Sequence, residues 1–492
     1  MYAGRGYQAS ELGDVDVIKH NNEYHLFHLV LPNHDYIAHA VSKDGFVWRR
    51  VQNALFIGNP GSWDDDMLWT MHVTPDPDHP DQWRMFYTGL SRRENGLIQR
   101  IGVARSTDLY NWEKDCSKNY PLAVSSDFYE KKLNEGRNWV SFRDPYFYRE
   151  DGCRFLIANA RVATGPVIRR GCVALLKETE PDKFEFCPPL FFPHMYDDIE
   201  VPGLYKINDL YYLIGSLRED IKVHYWYSDD IFGNYRAFYD NLLLPQGNYA
   251  ARILKESEEE YLVWNFFMNS DDEERKRLLP PPKRLVINDD GRLLLASSGV
   301  FDSRVKEYYT YNHLVPVETL LNNATARFKL FHSAFTIETE CGYEIFLLQK
   351  SFLNFRLRFS AIMEGRGKFG IAFRLDECGS GYFISLDMIN GVAQIRSWGS
   401  NDGQMMDKAT HYKNIQINSF QPNPGRAYNL ETIVIGGYIE FSINKQVILS
   451  LIDTLYMNDR RIGFYVESAC MRIKNLSLEE LDGPHDEEYG PV

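Results

Sequence analysis

Three short segments of the sequence set a carboxylate at the mouth of a strand-like run. Asp14 stands in Gly13-Asp14-Val15-Asp16-Val17-Ile18, Asp144 in Arg143-Asp144-Pro145-Tyr146-Phe147-Tyr148, and Glu200 in Glu200-Val201-Pro202-Gly203-Leu204-Tyr205. Singly, each reads as a turn residue, because an acid ahead of a strand is commonplace. As a set they read differently. Carboxylates brought together raise one another's pKa, so one keeps its proton near neutrality while another stays ionised. Cleavage of a glycosidic bond needs that division: an acid to protonate the leaving oxygen and a carboxylate on the other face of the ring. A third carboxylate can hold ring hydroxyls as positive charge develops. Arg143 is either a substrate contact or an ion partner for one of the acids.

Acids so far apart in the chain converge only if a repeating fold brings them together. The sequence reads mainly as strands: Tyr24–Leu31, Arg84–Thr88, Arg154–Ala158, Leu210–Ser216 and Tyr261–Phe267 are rich in aromatic and β-branched residues and follow polar turns. Ser42-Lys43-Asp44-Gly45-Phe46-Val47-Trp48 is echoed by Ser106-Thr107-Asp108-Leu109-Tyr110-Asn111-Trp112, and more weakly by Ser228-Asp229-Asp230-Ile231-Phe232-Gly233-Asn234-Tyr235. Each echo sits between two strands. Five units begin near Gly13, Asp66, Phe142, Ile199 and Asn248. At about 50 to 75 residues each, they suit the four-stranded blades of a β-propeller better than an irregular sandwich. The first strand of a blade lines the central channel, so the three acids should meet at one mouth of it.

The pattern changes beyond Leu321. Phe355–Phe359, Phe369–Arg374, Tyr382–Met388 and Ile439–Ile443 alternate, and Gly436-Gly437 and Asn444-Lys445 read as hairpin turns, which predicts an antiparallel β-sandwich. The expected organisation is all-β: a five-bladed propeller over residues 1–310, a linker over 311–324, a sandwich over 325–480 and a frayed acidic tail over 481–492.

Fifty-four Lys and Arg against 68 Asp and Glu give a formal charge of −14, which disfavours a phosphate backbone as partner and suits a neutral one such as a sugar. The start, MYAGRGYQASELGD, has no basic segment leading into an apolar one, and no apolar run approaches a membrane span. A cytoplasmic chain with no membrane or nucleic-acid partner is the expectation; the composition leaves the oligomeric state open. Seven scattered cysteines without a Cys-x-x-Cys pair read as buried thiols rather than a disulfide framework or zinc site. Neither cofactor nor catalytic metal is implied.

Gly13-Asp14 before Tyr24-His25-Leu26-Phe27, His39-Ala40-Val41-Ser42 with Trp48, Met85-Phe86-Tyr87-Thr88-Gly89, Arg143-Asp144-Pro145, Glu200-Val201-Pro202-Gly203-Leu204 and Tyr249-Ala250 resemble the motifs of the β-propeller furanosidases of glycoside hydrolase families 32, 43 and 68, most of all family 32. The resemblance covers about residues 13–300; the later part resembles, in pattern alone, the concanavalin-like sandwich that follows the propeller in that family. It implies Asp14 as nucleophile, Glu200 as general acid and then base, and Asp144 as holder of ring hydroxyls, with Arg143 beside it. The departures fall on the sugar-reading shell: Gly13 stands for an Asn, Val15 for a Pro, His28-Leu29 for Tyr-Gln, and Trp69-Thr70-Met71 for Ser-Gly-Ser. That predicts retained hydrolysis with altered fructose recognition.

Asp16, two residues beyond Asp14 and on the same face of a regular strand, is the alternative nucleophile. Asp66, Trp69 and His72, where the second blade should start, are the expected substrate contacts, whereas Asp64 and Asp65 read as a solvated loop and His39 and Trp264 as core. The implied activity is hydrolysis of a furanoside through a covalent intermediate. Alternatives are transfer of the same intermediate to a sugar, inverting hydrolysis with Asp14 as base, or a non-catalytic sugar-binding propeller.

Overall fold

The computed structural model of the chain describes residues 1–2, 12–268, 278–399, 412–423 and 425–483. Two compact units meet in the sequence between Leu293 and Leu294.

The first unit is a five-bladed propeller. The innermost strands of its blades are Leu12–His20, Met67–Pro75, Phe142–Glu150, Glu200–Ile207 and Asn248–Lys255, and each opens a sheet whose strands pair in chain order. Each innermost strand packs against the next, and the fifth returns to the first, so the ring closes. The apolar residues on the broad faces of the blades form the cores between neighbours. Phe27, Leu68, Met71, Met85 and Leu109 pack in one such core, and Ile157, Leu204, Leu213 and Trp226 in another. Leu12, Trp48, Tyr249 and Trp264 seal the fifth blade to the first. Trp264 and His39 are buried core residues, as expected.

The Ser-x-Asp repeats are turn devices. Ser42 Oγ accepts the Asp44 and Gly45 N–H groups, Asp44 Oδ1 accepts those of Phe46 and Val47, and the Trp48 indole donates to the Gly45 carbonyl. Ser106, Asp108 and Trp112 repeat every one of these bonds one blade later. The repeat recurs because it satisfies the backbone of a tight return between the third and fourth strands, using hydroxyl and carboxylate oxygens as acceptors.

A second feature recurs in all five innermost strands and bears directly on the site. The register between first and second strand shifts between Leu12 and Val15, Trp69 and Met71, Arg143 and Tyr146, Glu200 and Gly203, and Tyr249 and Arg252. A β-bulge breaks the two-residue alternation and re-aims the side chains beside it. Asp144, Val201 and Ala250 sit there with φ of 59°, 48° and 53°. Pro145 and Pro202 follow where the ladder needs no N–H.

The second unit is a β-sandwich. Two 21-residue strands, Phe355–Leu375 and Arg461–Leu481, pair antiparallel along their length. The first half of Phe355–Leu375 also pairs with Tyr428–Ile435 and the second half with Gly381–Asp387, so the strand passes from one layer to the other across a register shift between Gly365 and Lys368. Phe355, Phe373, Ile384, Ile439, Leu449 and Phe464 are among its core residues. The two-residue turns at Gly436-Gly437 and Asn444-Lys445 join hairpins as expected, with Gly436, Asn444 and Lys445 at positive φ.

Two expectations need correction. Val305–Thr310 pairs with Arg461–Leu481 and Pro316–Thr319 with Tyr343–Leu348, so sandwich strands begin inside the stretch assigned to the propeller's end and a linker. Most of the Val305–Thr310 side chains are exposed, and without a buried face the segment carries no alternation to read. The cysteines are free, but Cys116, Cys153, Cys341 and Cys378 are exposed and only Cys172 is fully buried. Of the acidic tail, residues 484–492 lie outside the described residues.

Candidate active site

Asp14, Asp144 and Glu200 line one pocket, together with Arg143, Arg218, Tyr249, Thr70 and Trp69. Its other walls are apolar for the most part: Gly13, Leu29, Leu31, Phe266 and Met268, with His34 among them. The pocket opens to solvent and has a cavity volume of about 220 Å³, a small cleft by the standard of small-ligand sites.

Every acid owes its aim to a bulge. In the first blade Gly13 and Asp14 together face Leu29, and Asp14 lines the pocket while Asp16 does not. Asp16 lies deeper, buried, where its carboxylate accepts the Val73 N–H at 2.6 Å and stands 3.2 Å from His72 Nδ1 and 3.6 Å from Arg252 Nε. The alternation argument for Asp16 fails at the bulge, and the acid presented to the pocket is Asp14. Gly13 is itself constrained: a Cβ there would lie 3.0 Å from Leu29 Cβ and 3.4 Å from Leu31. The two departures at positions 13 and 29 are therefore one packing unit.

Asp14 accepts a hydrogen bond from Thr70 Oγ1. Removal from bulk water, then the charges of Asp144 and Glu200, push its pKa up to about 7 against the pull of Thr70 and Arg252. Asp144 is raised as well, by burial and by Glu200, although Arg143 and the Val201 N–H favour its anion. Its backbone N–H donates to Thr88 Oγ1 at 3.1 Å and its Oδ2 accepts from Val201 N at 3.0 Å, locking the bulge to the blades on either side. Glu200 accepts from Arg143 Nη2 at 2.5 Å on Oε1 and from the Tyr249 hydroxyl on Oε2, with Arg218 Nη2 3.2 Å from Oε1. Three acids thus share the site with two arginines.

Of the expected substrate contacts, Arg143 and Trp69 line the pocket, but Asp66 and His72 do not. Asp66 lies 3.8 Å from Arg92. His72 is past the bulge at Trp69–Met71, buried against Tyr146 with ring centroids 4.2 Å apart and facing Asp16. Asp64 and Asp65 are buried rather than solvated: Asp64 accepts the Tyr87 hydroxyl at 3.0 Å, and Asp65 the N–H groups of Gly61 and Arg92. Thr70, Arg218, Tyr249 and the apolar walls at Leu31, Phe266 and Met268 were not singled out as site residues. The bulge recurring in every blade is the signal that places Thr70 and Tyr249, each at its own blade's position equivalent to the acids. Among the described residues no cluster of His, Cys, Asp or Glu has the makings of a metal site.

A closed five-bladed propeller with a carboxylate pocket, followed by a sandwich, defines the furanosidase class of fold. Residues 15–293 match the family described as "Glycosyl hydrolases family 32 N-terminal domain"; the chain belongs to that family and is a glycosidase. The match begins one residue past Asp14. Solved structures of the same fold include the sucrose-6-phosphate hydrolase of Lactobacillus gasseri, 16% identical with a TM-score of 0.69 over 97% of this chain and 92% of that one. The fructan 1-exohydrolase IIa of Cichorium intybus is 14% identical with a TM-score of 0.68, over 99% and 98% of the two chains. The exo-inulinase of Aspergillus awamori is 13% identical with a TM-score of 0.68, over 98% of each. At such identities the likeness is one of fold. No curated protein matches the chain by sequence.

Proposed function

We propose that the protein hydrolyses a furanoside by a retaining double displacement. The observation that carries the reading is the gathering of Asp14, Asp144 and Glu200 from three blades around one pocket. A carboxylate oxygen of Asp14 attacks the anomeric carbon while Glu200 gives its proton to the leaving oxygen, and a glycosyl ester forms. Glu200 then takes a proton from water, the hydroxide equivalent attacks the same carbon from the face just vacated, and Asp14 leaves. Asp144 accepts hydrogen bonds from ring hydroxyls, which strengthen as the oxocarbenium ion develops. Burial, and after it the mutual repulsion of the acids, keeps a proton in the site near neutrality.

Sucrose should be a poor substrate. The wall beside Asp14 is Gly13, Leu29 and Leu31, which offers no side-chain hydrogen bond to a sugar edge, and a hydroxyl pressed against it goes unpaired. The preferred unit is a furanoside held by Trp69, His34 and Arg218 instead. The test is a panel of sucrose, inulin, arabinofuranosides and nitrophenyl furanosides, with the first-formed anomer followed by NMR. Retention on at least one furanoside, with sucrose slow, is expected. Inverted product overturns the mechanism, efficient sucrose hydrolysis overturns the specificity, and absence of release from every furanoside overturns the substrate class.

A further inference from the structure

The arginine on Glu200 is itself held from behind. Arg143 is buried, and its Nη2 reaches both Glu200 Oε1 at 2.5 Å and Asp198 Oδ2 at 3.3 Å. Its Nη1 donates to Gln99 Oε1 at 3.3 Å and Ser141 Oγ at 3.1 Å, and its Nε lies 3.6 Å from Asp144 Oδ2. Asp198, also buried, is gripped in turn by Arg137, whose Nη1 lies 2.9 Å from Oδ2 and whose Nη2 lies 3.2 Å from Oδ1. Arg137 also bonds Ser141 Oγ and Asp197 and lies under the Trp139 ring at 4.2 Å. From Glu200 outward the signs alternate: Arg143, Asp198, Arg137, Asp197, Arg161, Glu130, Arg170.

We propose that Asp198, clamped by Arg137, is a positioning residue for the reaction, competing with Glu200 for the same Arg143 nitrogen and so leaving Glu200 basic enough to carry a proton. A buried arginine given wholly to Glu200 would make that carboxylate a permanent anion and a poor acid. Asp198 divides the guanidinium's charge and fixes its plane, and although burial opposes it, Arg143 and then Arg137 keep Asp198 ionised. The other charged or titratable groups facing Glu200 are Asp14 and Asp144 from the first and third blades, Arg218 after the second strand of its own blade, and Tyr249 from the fifth. Arg161, Arg218 and Cys172 also face Asp198. The proposal rests on Glu200 as acid and base.

The test reads Glu200 directly, by the pH titration of its side-chain carboxyl carbon in protein carrying 13C-glutamate, the resonance being assigned by its loss in Glu200→Gln. Asp198→Asn should lower the midpoint by about one pH unit, because one negative neighbour is gone, and Arg137→Gln should raise it. Arg137→Lys, which keeps the charge, should return it towards the wild-type value. The alkaline limb of kcat/KM on a cleaved furanoside should move in the same senses. A purely structural role would lower the melting temperature and leave the midpoint where it was. Unmoved midpoints, or movement of both variants in one direction, overturn the proposal; if Asp198→Asn does not fold, an unmoved Arg137→Gln midpoint does so alone. Activity retained in Glu200→Gln would instead remove the acid–base role of Glu200 while leaving the titration result intact.

Discussion

At the scale of single residues, Asp14 carries a cost that its proposed role as nucleophile explains. A nucleophile must be ionised, yet its surroundings hold it at about 7. The kcat/KM of the enzyme should therefore fall on the acid side with a midpoint near 7, as Asp14 takes up its proton. The same shift bears on stability. The folded state retains a proton between about 3.8 and about 7 that the unfolded chain releases, so this group's contribution to stability declines as pH rises through that window. Asp14→Asn abolishes the charge and the cost together. It should lose at least about a thousandfold in turnover, as removal of a covalent nucleophile does, and melt higher than wild type at pH 8 but not at pH 4. Turnover retained by Asp14→Asn would remove it as nucleophile. A melting difference independent of pH would remove the electrostatic account.

At the scale of elements, the bulge is the device by which an ordinary propeller strand presents a carboxylate to the pocket. It frees backbone N–H groups as well as re-aiming side chains, and the neighbouring blade takes up those donors. Thr88 Oγ1 accepts from Asp144 N, and Ser216 Oγ accepts from Ala250 N at 2.9 Å. Thr88 is fully buried, so Thr88→Val would strand the Asp144 N–H and should cost about 1–3 kcal/mol of stability. Activity should fall further than stability alone predicts, because Asp144 loses its anchor. Thr88→Ser keeps the oxygen and should recover most of both, which urea unfolding and steady-state rates would check. Equal activity in the valine and serine variants would show that the hydroxyl does not aim Asp144.

At the scale of the whole molecule, burial sets how the chain meets acid. The first blade buries His25, His28 and His39, with His25 Nδ1 3.0 Å from His39 Nε2 and the His39 ring stacked on Phe27 at 4.5 Å. Burial lowers their pKa values to about 4, about 3 and about 3. Unfolded histidines titrate near 6.5, so below that pH the unfolded state takes up protons the folded state refuses, and stability falls as pH drops through the window from about 6.5 to about 4. This slope runs opposite to that of Asp14. His39→Gln should flatten the fall in unfolding free energy between pH 6.5 and 5 by about one bound proton. An unchanged slope would place the acid sensitivity elsewhere.

Much of this was legible in the amino acids alone. The Ser-x-Asp turns of the first, second and fourth blades recur because those returns between strands have the same backbone donors to satisfy, so the repeat of the blades could be read from local chemistry. Asp144 and Glu200 were legible for a related reason: a bulge followed by proline leaves a mark in Arg-Asp-Pro and Glu-Val-Pro, whereas Asp14, with Val15 after it, was legible by its place at the opening of the first strand. What the linear pattern could not carry was direction and distance. Asp16 and His72 read as neighbours of the pocket, since a strand is expected to alternate; past the bulges they lie buried against each other and against Arg252 and Tyr146 instead. Asp198, Arg137, Arg218 and Tyr249 act on Glu200 from segments that only closure of the blades brings together, and an ion pair between distant segments has no period. Val305–Thr310 joined the sandwich through backbone pairing, which is blind to side chains. The sequence determined those features whose cause is local, and the tertiary structure decided those that depend on which groups share a buried volume, because burial there sets both the cost of a charge and the partners it must have.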